Sequence, residues 1–135
     1  MTERAFGPYG IDHALAEARR GLDRVTPQQA YAVQADGGLV VDIRPESDRR
    51  AEGTIPGAVV VERIHLEWRL DPAGPDRLDE VRPDRAAVIV CNEGYASSLA
   101  AAQVRALGLT RATDLEGGFR AWKSAGLPVA DALPA

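Results

Sequence analysis

The chain carries few reactive side chains. It has one cysteine and two histidines in 135 residues, and aromatic residues make up only 5%. A single cysteine cannot form an internal disulfide, and no Cys/His spacing suggests a zinc site, so no metal is expected. No apolar run approaches the roughly 20 residues that a membrane helix needs. The opening stretch, Met1 to Pro8, lacks the apolar core of a secretory signal. There is no Lys/Arg run and the net charge is −4, which gives no support for nucleic-acid binding. These absences exclude a disulfide scaffold, a membrane partner and a nucleic-acid partner, and make a reducing cytoplasm the expected location.

What is present is a globular composition, with 45% hydrophobic and 27% charged residues. The length is that of one ordinary domain, enough to bury about two-thirds of the unfolded surface without a covalent staple. The first ten residues hold two glycines and a proline and read as a loose arm. Ile11, Leu15, Ala18 and Leu22 then recur at helical spacing. His13 on this helix, like His65 further on, reads as a surface residue. Residues 1–23 are therefore expected to be an arm plus short helix, residues 24–129 the main domain, and residues 130–135 a frayed tail.

Within the main domain, Asp23-Arg24-Val25 suits a short edge strand. Thr26, Pro27 and Gln29 make a capping box with proline at the first helical position. Ala30, Val33 and Tyr31 on that helix are expected to face the core. Leu39 to Ile43 is apolar apart from Asp42, as expected of a strand covered on both faces. Shorter strands are expected at Val59–Val61, Ala87–Val90 and Ala112–Leu115, with helical segments between them. Trp68 and Trp122 read as packing residues. Short valine-rich strands alternating with helices predict an α/β fold: a mainly parallel sheet of about five short strands with helices on both faces.

The only cysteine sits where such sheets place their ligands, at a strand's carboxyl end. Ala87 to Val90 leads into Cys91-Asn92-Glu93-Gly94-Tyr95-Ala96-Ser97, and an alanine-rich helix follows. Ser97 or Ser98 can cap that helix, and Ser97 reads equally as a hydroxyl that contacts the thiol; Leu99, Ala102, Ala106 and Leu107 fall on one face. A tight loop at a helix start surrounds the sulfur with backbone N–H groups, which favours a thiolate. Gly94 suits such a loop because it adopts positive φ without strain. Tyr95 lies where its ring can wall the pocket. Asp42, ending another strand, and Arg44 read as a structural ion pair.

Four blocks in this order resemble the rhodanese-like domain of single-domain sulfurtransferases. Leu39-Val40-Val41-Asp42-Ile43-Arg44 is similar to the family's strand ending in Asp-x-Arg. Gly53-Thr54-Ile55-Pro56-Gly57-Ala58 is similar to its Gly-His-Ile-Pro-Gly-Ala block. Cys91 to Ser97 is similar to its active-site loop. Leu115-Glu116-Gly117-Gly118-Phe119-Arg120-Ala121-Trp122 with Ala125 to Val129 is similar to its closing block. Thr54 stands in place of the family's histidine. Ala96 stands in place of its loop arginine, which removes a fixed positive charge facing a substrate anion, and Glu93 adds a negative one.

The resemblance implies a two-step reaction. Cys91 takes a sulfane sulfur from a small donor such as thiosulfate or a persulfide. The Cys91 persulfide then passes it to cyanide, a thiol or a partner protein's cysteine. Asn92, Glu93, Gly94, Tyr95, Ala96 and Ser97 would bind substrate, and no cofactor is implied. Two other readings remain open: a non-catalytic or redox-sensing module that docks a partner protein, and a cysteine phosphatase or arsenate reductase of related fold. The last needs an arginine in the loop, and none follows Cys91 before Arg105.

Overall fold

The computed structural model describes residues 8–132, so most of the expected N-terminal arm and the end of the expected tail lie outside the described residues. Four strands form the sheet: β1 (Leu39–Asp42), β2 (Val59–Val60), β3 (Ala87–Val90) and β4 (Ala112–Asp114). They run in the order β2-β1-β3-β4 and every pairing is parallel. The register sets Asp42 beside Val90, so β1 and β3 finish side by side and deliver Arg44 and Cys91 to the same sheet edge. The edge strand expected at Asp23–Val25 shrinks to one parallel bridge between Val25 and Leu115. The next residue, Thr26, already caps a helix, so the ladder has no residue left to extend it.

Among the described residues six α-helices flank the sheet: α1 (Ile11–Arg20), α2 (Pro27–Ala35), α3 (Glu46–Glu52), α4 (Leu66–Leu70), α5 (Ala96–Ala106) and α6 (Gly118–Ser124). The central strands bury both faces because their side chains alternate between two cores. Leu39, Val41, Ala87, Ile89 and Cys91 point to the side of α4 and α5, with Leu66, Leu70, Ala100, Ala101 and Val104. Val40, Val88 and Val90 point to the side of α2 and α6, with Ala30, Phe119 and Trp122. Each large side chain buried this way contributes about 1.5–3 kcal/mol.

The capping box of α2 forms as expected, with the Gln29 amide donating to Thr26 Oγ1 at 3.2 Å and the Thr26 amide to Gln29 Oε1 at 2.9 Å. Ala30 is buried, whereas Tyr31 is exposed with its ring tilted against Trp122. Three further expectations fail. α5 has no side-chain cap; Tyr95 precedes it and both serines turn inward. Its buried face is Ser97, Ala100, Ala101 and Val104, not Leu99, Ala102, Ala106 and Leu107. Small residues let the helix lie close on β3 and β4, and that packing overrides side-chain hydrophobicity. Trp68 is 63% exposed, while Trp122 is buried and donates its indole N–H to the Pro128 carbonyl.

Candidate active site

Cys91 follows β3 directly, and α5 begins five residues later. Its side chain is 8% exposed. Sγ accepts hydrogen bonds from the Gly94 amide at 3.1 Å and the Ser97 amide at 3.3 Å. Both bonds, and the start of an eleven-residue helix, favour negative charge on the sulfur. Gly94 has φ +87°, and a Cβ there would lie 2.7 Å from the Gly117 amide nitrogen. Glycine is therefore required twice over, by conformation and by close approach.

The loop holds this shape because its carbonyls are tied from behind. The Cys91 carbonyl accepts from the Phe119 amide at 2.8 Å, and the Asn92 carbonyl from the Arg120 amide at 3.1 Å. The Gly94 carbonyl accepts from the guanidinium groups of both Arg19 and Arg24, each at 2.9 Å. A trans peptide points its N–H opposite to its C=O. The amides of Glu93 and Tyr95 are thus turned away from α6 and the two arginines. Gly118 makes the first two contacts possible, since a Cβ there would lie 2.5 Å from the Cys91 carbonyl oxygen.

Behind the sulfur lies a buried polar cluster. Asp114, at the end of β4, is fully buried. Arg24 Nε and Nη2 donate to its two oxygens at 2.8 and 3.1 Å. The hydroxyls of Ser97 and Ser98 donate to its Oδ2 at 2.7 and 2.8 Å. Ser97 Oγ also lies 3.2 Å from Cys91 Sγ. Arg19 donates through Nε to Ser98 Oγ at 2.9 Å and rests its guanidinium 5.7 Å from the centre of the Tyr95 ring.

A second cluster fixes the β1 side. Arg44 is buried with Asp42 and donates to both its oxygens, the shortest bond being 2.8 Å. The same guanidinium donates to the Gly53 carbonyl at 2.7 Å and lies 4.0 Å over the Phe119 ring. It reaches Asn92 Oδ1 at 3.3 Å, and the Asn92 amide donates to Glu52 at 2.8 Å. Bonds from Arg120 and Asn92 hold the Glu52 carboxyl down at about 2, against 4.5 ordinarily. Arg120 itself is raised by that pairing and also meets Glu93 at 3.3 Å.

Cys91 opens onto a cleft of about 360 Å³. Of the sequence-derived candidates, Arg44, Asn92, Glu93, Tyr95 and Ala96 line it beside Cys91. Gly94 and Ser97 do not; they touch the sulfur from within the loop. Asp42 stays beneath Arg44. Glu93 is exposed, and Tyr95 is 59% exposed at the rim. Ile43, Pro45, Asp48 and Arg63 complete the lining. Arg63, on a single 3₁₀ turn (Arg63–His65), lines the cleft where no loop arginine stands, with its guanidinium paired to Glu67 at 2.7 Å. His65 lines a different hollow, with Arg49 and Arg69. Arg63, Asp114, Arg24 and Arg19 carry no motif spacing to the cysteine, because each arrives from a separate element. Among the described residues, no group of three or more His, Cys, Asp or Glu is placed to hold a metal ion.

Known proteins share this architecture. The chain is 34% identical over 101 residues to the thiosulfate sulfurtransferase GlpE of Pseudomonas entomophila, covering 75% of this chain and 84% of that one. A Rhodopseudomonas palustris protein of unknown function, described as a possible tyrosine phosphatase, superposes with a TM-score of 0.82. It is 32% identical, with 96% of this chain and 98% of that one covered. The human single-domain sulfurtransferase TSTD1 superposes with a TM-score of 0.64 at 27% identity, over 75% of this chain and 95% of that one. The family model for the rhodanese-like domain matches residues 26–125, which takes in both ends of the cysteine loop and all four strands, and the chain belongs to the rhodanese-like domain family.

Proposed function

We propose that this domain is a sulfurtransferase working through a persulfide on Cys91. The observation that carries this is the sulfur itself: two loop amides donate to it, and it opens onto a cleft large enough for a small donor. The Cys91 thiolate attacks the outer sulfur of a sulfane donor. With thiosulfate, the sulfur–sulfur bond breaks and sulfite leaves with the bonding pair. The new persulfide carries its charge on the terminal sulfur, where loop amides such as those of Glu93 and Tyr95 can stabilise it as an oxyanion hole does an oxyanion. Cyanide, a small thiol or a partner protein's cysteine then attacks that terminal sulfur, and the Cys91 thiolate is the leaving group. Asn92, Glu93, Tyr95 and Ala96 form the donor site, Gly94 and Ser97 serve it through their amides on the sulfur, and Arg63, though paired with Glu67, brings the positive charge that Ala96 does not. A reducing cytoplasm suits a carrier of this kind.

The resemblance to a protein described as a possible tyrosine phosphatase favours a second reading. Phosphate-ester hydrolysis needs an arginine in the loop to hold the dianion. From Cys91 to Ser97 there is none, and Arg105 is spent on the Thr110 carbonyl at 2.7 Å. One experiment separates the two. The protein is incubated with thiosulfate, desalted and weighed intact. Gain of one sulfur atom, lost on adding cyanide and absent in Cys91→Ser, is the expected result. Phosphate release from an aryl phosphate with no sulfur adduct would overturn it.

A further inference from the structure

The Ser97 hydroxyl stands between two acceptors. It donates to Asp114 Oδ2 at 2.7 Å, while its oxygen lies 3.2 Å from Cys91 Sγ and takes the thiol S–H. One hydroxyl proton cannot serve both a carboxylate and a negatively charged sulfur. Asp114 does not depend on it, because Arg24 donates twice and Ser98 once to the same carboxylate. Among the described residues, the sulfur's donors are the two amides of its own loop.

We propose that Asp114 is a positioning residue that sets the reactivity of Cys91 through the Ser97 hydroxyl. In the resting thiol, the hydroxyl proton points at Asp114 and the oxygen lone pair receives the thiol proton. When the thiol proton leaves to water through the cleft, the hydroxyl turns and donates to the sulfur. Asp114 then remains with Arg24 and Ser98. The buried carboxylate therefore competes with the thiolate for one hydrogen bond, and restrains its formation until the cleft draws charge onto the sulfur. Other charges bear on the same sulfur: Arg44, Arg63, Asp48 and Glu93 line the cleft side. Arg19 and Arg24 lie behind the loop, on the Gly94 carbonyl.

This rests on Cys91 being the nucleophile, but its test needs no sulfur transfer. The rate of Cys91 alkylation by iodoacetamide is measured against pH in the full chain, with thermal unfolding alongside. Ser97→Ala removes the hydrogen bond to the thiolate, so the midpoint rises and alkylation at pH 6 slows about tenfold. Asp114→Asn removes the competing charge and frees the hydroxyl, so the midpoint falls and alkylation at pH 6 quickens about three- to tenfold. Ser98→Ala takes a donor from Asp114 without touching the sulfur, so the carboxylate holds the Ser97 hydroxyl harder and the midpoint rises by less than in Ser97→Ala. A purely structural cluster would lower the unfolding temperature without moving the first two midpoints in opposite directions. Unmoved midpoints, or shifts of the same sign, overturn the proposal. If Asp114→Asn does not fold, Ser98→Ala carries the test of Asp114 and Ser97→Thr that of the hydroxyl. Thr keeps the hydroxyl and restores the wild-type midpoint, and a Thr variant that behaves as Ala does overturns the assignment. A chain that shows the opposed midpoints but never gains sulfur would refute the transferase reading and leave this one standing.

Discussion

The front and the back of the cysteine loop are built on different principles. The back is closed: Asp114, Ser97, Ser98 and Arg44 are buried, and their polar atoms answer one another at hydrogen-bond distance. The front is open: Tyr95 is 59% exposed, and the Arg63 and Glu93 side chains are 41% and 60% exposed. A buried charge network fails when one member is removed, whereas exposed charges tune binding by small amounts. The back thus fixes the position of Cys91, and the front leaves its side chains free to vary.

The comparison breaks most visibly at Arg44. Arg44→Met leaves the Asp42 carboxylate buried without its partner, and equilibrium urea unfolding is expected to show a loss of about 3–5 kcal/mol. A loss below about 1 kcal/mol would mean that the β1 side is not held by this pair. The front gives a smaller and different effect. Arg63→Ala is expected to raise KM for thiosulfate about three- to tenfold with kcat nearly unchanged, the pattern of lost uniform binding. Ala96→Arg, which adds a cation on the loop that lines the same cleft, is expected to lower KM by a similar factor. Steady-state kinetics on both variants checks this, and a fall in kcat alone would move Arg63 out of donor binding. The smallest effect lies between the two regions, at Glu52. Its folded-state value near 2 lies below its ordinary 4.5, so its contribution to stability is complete above about pH 4.5 and fades as pH falls toward 2. The stability difference between the wild type and Glu52→Gln, followed by thermal unfolding, is expected to shrink through that interval.

The cysteine loop and the Asp42–Arg44 pair were legible in the sequence because each is local. Strand, glycine and helix start lie within a dozen residues, and Asp42 and Arg44 are two apart. The four motif blocks added the fold, since their order constrains the topology. Ser97 reads equally as a helix cap, which is what serine does at a helix start, and as a hydroxyl on the thiol, and the structure takes the second role. A carboxylate arriving from β4 changed its partner. The buried face of α5 was misread because leucine outranks alanine on hydrophobicity, while close packing on a sheet selects for small size. Asp114, Arg24, Arg19 and Arg63 gave no signal at all, being joined to the loop only by tertiary contact.

The ties behind the loop also bear on how the protein is made. Arg24 and Asp114 are 90 positions apart, and the Cys91 and Asn92 carbonyls are held by Phe119 and Arg120. A nascent chain emerging from the ribosome presents its thiol well before those partners leave the exit tunnel. Until Asp114, Phe119 and Arg120 have also emerged, the loop around that thiol lacks the ties these residues supply, so its shape is set by residues made after it.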